Sequence, residues 1–159
     1  MDYQLVRLSQ EPHFAETCAA WVYGEWRCQR KEASYPKVLA YLQSAGQPES
    51  DLFECWVAVQ DWRPLGMACL KRVEHVDRLD LSPWLGSVYV HPEFRGGGLA
   101  HALIAQVERQ AVEEYGAKEC YLQTGIPAFY VDAGWEDIGR VRDTRGLNKD
   151  GWVLMRKSL

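Results

Sequence analysis

Residues Val88-Tyr89-Val90-His91-Pro92-Glu93-Phe94-Arg95-Gly96-Gly97-Gly98-Leu99-Ala100 pass from an apolar strand through a glycine-rich bend into an amphipathic helix. No other stretch constrains the fold as much. Glycines at 96, 97 and 98 let the backbone approach a ligand closely, and the first turn of the next helix has N–H groups without intrahelical partners. The helix dipole adds partial positive charge at the same spot and Arg95 a full one, so the segment reads as a pyrophosphate cradle.

It is not a Walker A loop, because no Gly-Lys-Ser/Thr follows. Nor is it a dinucleotide fingerprint, whose Gly-x-Gly-x-x-Gly spacing and position after a first strand are both missing. From Arg95 to Ala100 it resembles the acyl-CoA loop of the GCN5-related N-acetyltransferase (GNAT) superfamily, Arg/Gln-x-x-Gly-x-Gly/Ala, with Arg95, Gly98 and Ala100 in the three defined places. A Tyr-Val-x-Pro entry precedes the loop, and Phe129-Tyr130-x-x-x-Gly134-Trp135 is similar to the superfamily's Phe-Tyr-x-x-x-Gly-Phe segment with Trp135 in place of Phe. The resemblance extends over the whole chain, more loosely toward the N-terminus.

A chain of 159 residues suits one domain, expected to span 1–159, with a sizeable core. An apolar fraction of 47% with 25% charged residues is ordinary globular composition, and no apolar stretch approaches the roughly 20 residues of a membrane span. The opening Met1-Asp2-Tyr3-Gln4 lacks the features of a secretory signal, so a cytoplasmic protein with no membrane partner is expected. Cys18, Cys28, Cys55, Cys69 and Cys120 are scattered, without zinc-ligand spacing, and read as reduced core thiols. A net charge of −4 argues against nucleic acid and leans mildly toward a cationic acceptor.

Hydrophobic periodicity predicts a strand at 4–8, a helix from about His13 to Glu25, and a second helix from Pro36 to about Ser44. Apolar runs at 53–60 and 65–73, joined by Asp61-Trp62-Arg63-Pro64, predict a hairpin. Glu74 to Pro83 reads as an acidic loop, Trp84 to Val90 as the strand feeding the cradle, and Leu99 to Tyr115 as a helix closed by Gly116. Strands at 119–124, 136–142 and 152–157, a short helix at 127–133 and a polar turn at 143–150 complete the pattern. An α/β (α+β) fold follows, and the resemblance implies a mixed, mostly antiparallel sheet of about seven strands flanked by about four helices, with a splayed parallel pair at the acyl-CoA site.

The resemblance also implies acetyl-CoA as co-substrate and a primary amine as acceptor, with no metal. Backbone of Val88, Tyr89 and Val90 would pair with the pantetheine arm in the gap beside strand 119–124, and Arg95, Gly96, Gly97, Gly98, Leu99 and Ala100 would hold the pyrophosphate. A backbone N–H of Val90 or a neighbour would meet the oxyanion. Tyr130, a phenol with a reference pKa of about 10, would protonate the leaving thiolate and contact the carrier. Acyl transfer to an ammonium also needs a base, for which Glu25, Glu74, Asp77 and Asp80 are candidates. Asp80 leads, because Asp80-Leu81-Ser82-Pro83-Trp84 runs straight into the cradle strand.

His91 reads as a turn residue beside Pro92, and His13, His75 and His101 form no metal spacing. Trp21, Tyr23, Trp26 and Trp84 could together wall an acceptor pocket or simply pack helix on sheet. Gly97 departs from the superfamily's usual basic or polar residue, which leaves CoA affinity open. A CoA-binding sensor without turnover is the alternative function, small-molecule amine and protein N-terminus both fit as acceptors, and a homodimer that closes the cleft stays open.

Overall fold

Cys55-Trp56-Val57-Ala58 and Met67-Ala68-Cys69-Leu70 have no polar alternation, which requires a sheet covered on both faces. The computed structural model, which describes residues 2–159, has one. Its strands are β1 (Gln4–Arg7), β2 (Leu52–Gln60), β3 (Arg63–Lys71), β4 (Trp84–Val90), β5 (Glu119–Thr124), β6 (Glu136–Val141) and β7 (Trp152–Ser158), in the order β1-β2-β3-β4-β5-β7-β6. Every neighbouring pair is antiparallel except β4 and β5. The helices are α1 (Ala15–Val22), α2 (Tyr35–Gln43), α3 (Leu99–Tyr115) and α4 (Pro127–Val131).

Because strand side chains alternate between faces, each apolar run feeds two cores. Cys55, Val57, Met67 and Cys69 pack against Cys18, Ala19 and Val22 of α1 and Val38 and Leu42 of α2. Trp56, Ala58, Ala68 and Leu70 face Leu103, Ile104, Val107 and Ala111 of α3. Truncating a side chain such as Leu103, which has no exposed surface, to Ala would cost about 2–5 kcal/mol. Gln110 on the same helix is buried without penalty, since its Oε1 accepts from Trp56 Nε1 at 2.8 Å.

Several boundaries differ from the sequence pattern for local reasons. The predicted first helix is a one-turn 3-10 segment (Pro12–Phe14), α1, and a π-helical turn at Tyr23–Arg27. Periodicity registers this only as continued helix. The predicted four-residue hairpin turn is two residues, Asp61 and Trp62, both at positive φ (48° and 64°), which extends β3 back to Arg63. Trp62 is exposed at that tip and Cys28 is also exposed, so the expectation of core thiols holds for the other four cysteines only.

Candidate active site

β4 and β5 are joined by one register pair, Trp84 with Tyr121, together with Tyr121 N–H donating to Pro83 O at 3.1 Å. Beyond it the strands part. On its other side β4 carries an extra residue against β3: Met67 pairs with Tyr89 and Cys69 with Gly86, and Ser87 in between sits at φ 51°. A bulge of this kind bends the strand and increases its twist, and a non-glycine residue at positive φ marks backbone held under strain. The cleft that opens has a volume of about 910 Å³, lined by Gly86, Ser87, Val88, Tyr89 and Val90 from β4 and by Leu122, Gln123 and Thr124 from β5. That volume is at the upper end for a ligand site.

The glycine loop closes one side. Arg95, Gly96, Gly98, Leu99 and Ala100 line the cleft, whereas Gly97 does not. Gly96 and Gly98 have φ of 84° and 79°, and a Cβ on either would meet nothing within 4 Å, so their faces are open to a ligand. Gly98 is the N-cap of α3, and among the described residues no side chain caps that terminus. Its first-turn N–H groups stay available to an anion, as the acyl-CoA reading requires. Arg95 folds back, with Nε donating to Val90 O at 2.9 Å, which ties the loop to the end of β4.

Tyr130, on α4, reaches the cleft from beyond β5. Its ring is held edge-on by Phe129 (5.0 Å between centroids) and Trp135 (6.3 Å). Burial pushes its phenol up to about 12, so it is a proton donor throughout the neutral range.

The remaining wall comes from the π-helical turn, the end of β3 and the β6–β7 turn. Lys71 is 2% exposed, and its Nζ lies 2.7 Å from Glu74 Oε2. Burial alone would lower the Lys71 ammonium, but Glu74, with smaller contributions from Tyr41 and Cys69, outweighs it and raises the pKa. Gly86 packs closely against this pair, and a Cβ there would stand 3.0 Å from Lys71 Nζ. Glu25, Trp26, Arg27 and Arg30 line the cleft from the first helical region, and Asp143, Thr144 and Arg145 from the β6–β7 turn. Burial would raise the Asp143 carboxyl. Hydrogen bonds from the Arg145 side chain and from the Arg145 and Asn148 backbone N–H groups instead hold it far below the usual carboxylate range.

Of the four candidate bases, Glu25 and Glu74 line the cleft and Asp77 and Asp80 do not. Asp80 is exposed and bound by Arg78 through two hydrogen bonds of 2.9 Å, while Asp77 is bound by Arg142. The 74–83 loop turns these carboxylates outward, because its anchor is the buried His75, bonded to Arg142 O and to Asp77 N–H. His91 caps the short 3-10 segment Pro92–Phe94 and has no place in the cleft wall. Trp26 lines the cleft and packs edge-on to Tyr89, Trp21 stacks on Tyr89 from behind, and Trp84 is fully buried with Nε1 bound to Leu81 O.

Lys71, Arg27, Arg30, Arg145 and Trp152 are cleft residues that sequence reasoning missed. Lys71 carried only a weak signal, as the first of two adjacent cations, Lys71-Arg72, that end the run Met67-Ala68-Cys69-Leu70. The arginines carried none, since exposed and cleft-facing arginines look alike in sequence. Among the described residues no group of three or more His, Cys, Asp or Glu could hold a metal ion, and no helix is long and apolar enough to cross a membrane.

The architecture matches known structures over its full length. PaiA N-acetyltransferase from Thermoplasma acidophilum, in complex with coenzyme A, is similar with a TM-score of 0.66 at 19% identity, covering 100% of both chains. An aminoglycoside 6'-N-acetyltransferase complexed with coenzyme A gives 0.73 at 14% identity, over 98% of this chain and 96% of that one. A GNAT-family acetyltransferase from Staphylococcus aureus Mu50 gives 0.68 at 14% identity, over 99% of each. No curated protein sequence matches the chain. The sequence model of the acetyltransferase (GNAT) family matches residues 15–135, a span that includes the bulged β4, the glycine loop and Tyr130, and the chain belongs to that family.

Proposed function

We propose that the protein is an acetyl-CoA-dependent N-acetyltransferase that moves the acetyl group to a primary amine by direct attack on the thioester. The observation that carries this reading is the parting of β4 from β5 beside an open glycine cradle, with Tyr130 on the same cleft. Acetyl-CoA supplies the acyl group as an activated thioester. Backbone N–H groups of Gly96, Gly98, Leu99 and Ala100, with the Arg95 guanidinium, hold its pyrophosphate, and β4 backbone at Val88, Tyr89 and Val90 holds its pantetheine arm. A backbone N–H at or next to Val90 donates to the carbonyl oxygen as negative charge develops there, an interaction worth about 10²–10³ in rate.

Glu74 takes the proton from the incoming ammonium, directly or through water, since Asp80 lies outside the cleft wall. Lys71 holds Oε2 of Glu74, and Oε1, which accepts only a long hydrogen bond from Gln123 Nε2 at 3.5 Å, is the proton acceptor. The free amine then forms the C–N bond while the C–S bond breaks. Burial pushes the Tyr130 phenol up to about 12, so it stays protonated while the sulfur departs. Tyr130 therefore acts as a hydrogen-bond donor to the departing sulfur, and the second proton lost by the attacking nitrogen completes the thiol.

The test is calorimetric titration with acetyl-CoA, followed by thiol release on addition of amines. Binding with amine-dependent thiol release supports the transferase. Binding without release under any amine replaces it with a CoA-binding module, and absence of binding overturns the acyl-CoA reading.

A further inference from the structure

Three arginines converge on the cleft wall, Arg27 and Arg30 from the segment after α1 and Arg145 from the β6–β7 turn. Their charges are unequally satisfied. Arg145 is paired with Asp143 at 3.0 Å and lies over the Trp152 ring at 5.0 Å. Arg27 and Arg30 have no carboxylate partner among the described residues. Arg30 donates through Nη2 to Thr144 Oγ1 at 2.7 Å, while its Nε is buried without a hydrogen-bond partner among the described residues.

The acidic groups close enough to act on Arg30 are Glu74 and Asp143, and both are already engaged, by Lys71 and Arg145 respectively. Burial, then repulsion from Arg27 and Arg145, lowers the Arg30 pKa, the signature of a cation short of counter-charge. A half-buried guanidinium in that condition costs stability unless an anion arrives. The glycine loop and Arg95 provide for the pyrophosphate, whereas Arg30 stands apart from that loop, against Thr144 of the β6–β7 turn and within reach of Glu74, so we assign the anion to the other substrate rather than to a phosphate of the carrier.

We propose that the acceptor carries a carboxylate as well as its amine, making it a free amino acid or similar small aminocarboxylate, with Arg30 as the principal carboxylate ligand and Arg27 in support. This rests on the N-acetyltransferase reading. The planar guanidinium fork matches a carboxylate bidentately, and Glu25 in the same wall supplies the opposite charge for the ammonium. Trp26 and Trp152 line the same cleft and favour an acceptor with an apolar portion. Trp152 is aimed by Gly125, where a Cβ would come within 2.6 Å of its ring. The chain's net charge of −4 thus conceals an acceptor wall with an unanswered positive charge.

The experiment measures thiol release from acetyl-CoA by the wild-type protein with the common amino acids, their carboxamides, the corresponding decarboxylated amines, spermidine, kanamycin and O-phosphoethanolamine. At least one amino acid is expected to exceed its own carboxamide in kcat/KM by on the order of 100-fold, because the amide leaves the guanidinium unanswered. Arg30→Gln is then expected to collapse that ratio toward unity, chiefly through KM, with acetyl-CoA affinity by calorimetry unchanged. Preference for spermidine, kanamycin or O-phosphoethanolamine, or equal use of acid and amide, overturns the proposal while leaving the transferase standing. So does a Kd for acetyl-CoA weakened more than about tenfold by Arg30→Gln, since Arg30 would then serve the carrier. Failure of the wild-type protein to bind acetyl-CoA removes both readings.

Discussion

Trp84 and Tyr121 form the sole register pair between β4 and β5, and the cleft opens directly beyond them. Trp84 has no exposed surface and ties its indole N–H to Leu81 O, so this closed end of the gap is rigid. Parting two parallel strands leaves backbone donors and acceptors unpaired, a cost tolerated where a ligand or water can take their place. The bulge at Ser87 supplies the bend.

Tyr130→Phe should lower kcat by about 10²-fold while leaving the Kd for acetyl-CoA within twofold, because the phenol hydroxyl contributes in the transition state. With its pKa near 12, Tyr130 should add no alkaline limb to the kcat profile below about pH 11. An alkaline limb near pH 9 that vanishes in Tyr130→Phe would contradict the assignment.

Gly98→Ala and Gly98→Glu separate backbone strain from electrostatics at the cradle. Gly98 is at φ 79° with open space where a Cβ would stand, so Ala should cost about 1–2 kcal/mol of stability and leave acetyl-CoA binding detectable. Glu adds a negative charge facing the pyrophosphate and should abolish binding. Equal calorimetric affinities for the two variants would show that the phosphates lie elsewhere.

Asp143 should make stability fall in acid. Its folded pKa is depressed, so between that value and the ordinary carboxylate value of about 4 the unfolded chain binds more protons, and stability rises with pH. The contribution is complete above the unfolded value and is lost as pH drops through the folded one. Thermal melts from pH 7 to 3 should show a steeper fall for wild type than for Asp143→Asn. Parallel curves would mean that the bonds from Arg145 and Asn148 add nothing specific to the carboxylate.

Glu74→Gln leaves the Lys71 ammonium buried without a counter-charge and should destabilise the fold by about 3 kcal/mol. Adding Lys71→Met should restore most of that loss in urea denaturation, since an apolar side chain of similar length suits the site. Activity should stay absent in the double variant, because the proposed base is gone. Recovery of turnover there would move the base role to Glu25.

Local patterns along the chain determined much of this protein. Apolar runs in β2 and β3, the periodic face of α3 with its Gly116 cap, and the passage from Val88 to Ala100 are decided by neighbouring residues, and the structure places them as read. The glycine loop and Tyr130 were legible for the same reason, since each belongs to a short contiguous segment. The tertiary structure alone decided which charges face the cleft. Asp80 and Glu74 lie six positions apart in one acidic loop, yet the buried ring of His75, bonded to Arg142 O, turns the loop so that Glu74 enters the wall and Asp80 meets Arg78 in solvent. Arg30 and Arg145 are 115 positions apart, and their mutual repulsion exists only once the β6–β7 turn is folded against the segment after α1. Coulomb energy depends on distance in space, which a linear pattern does not encode.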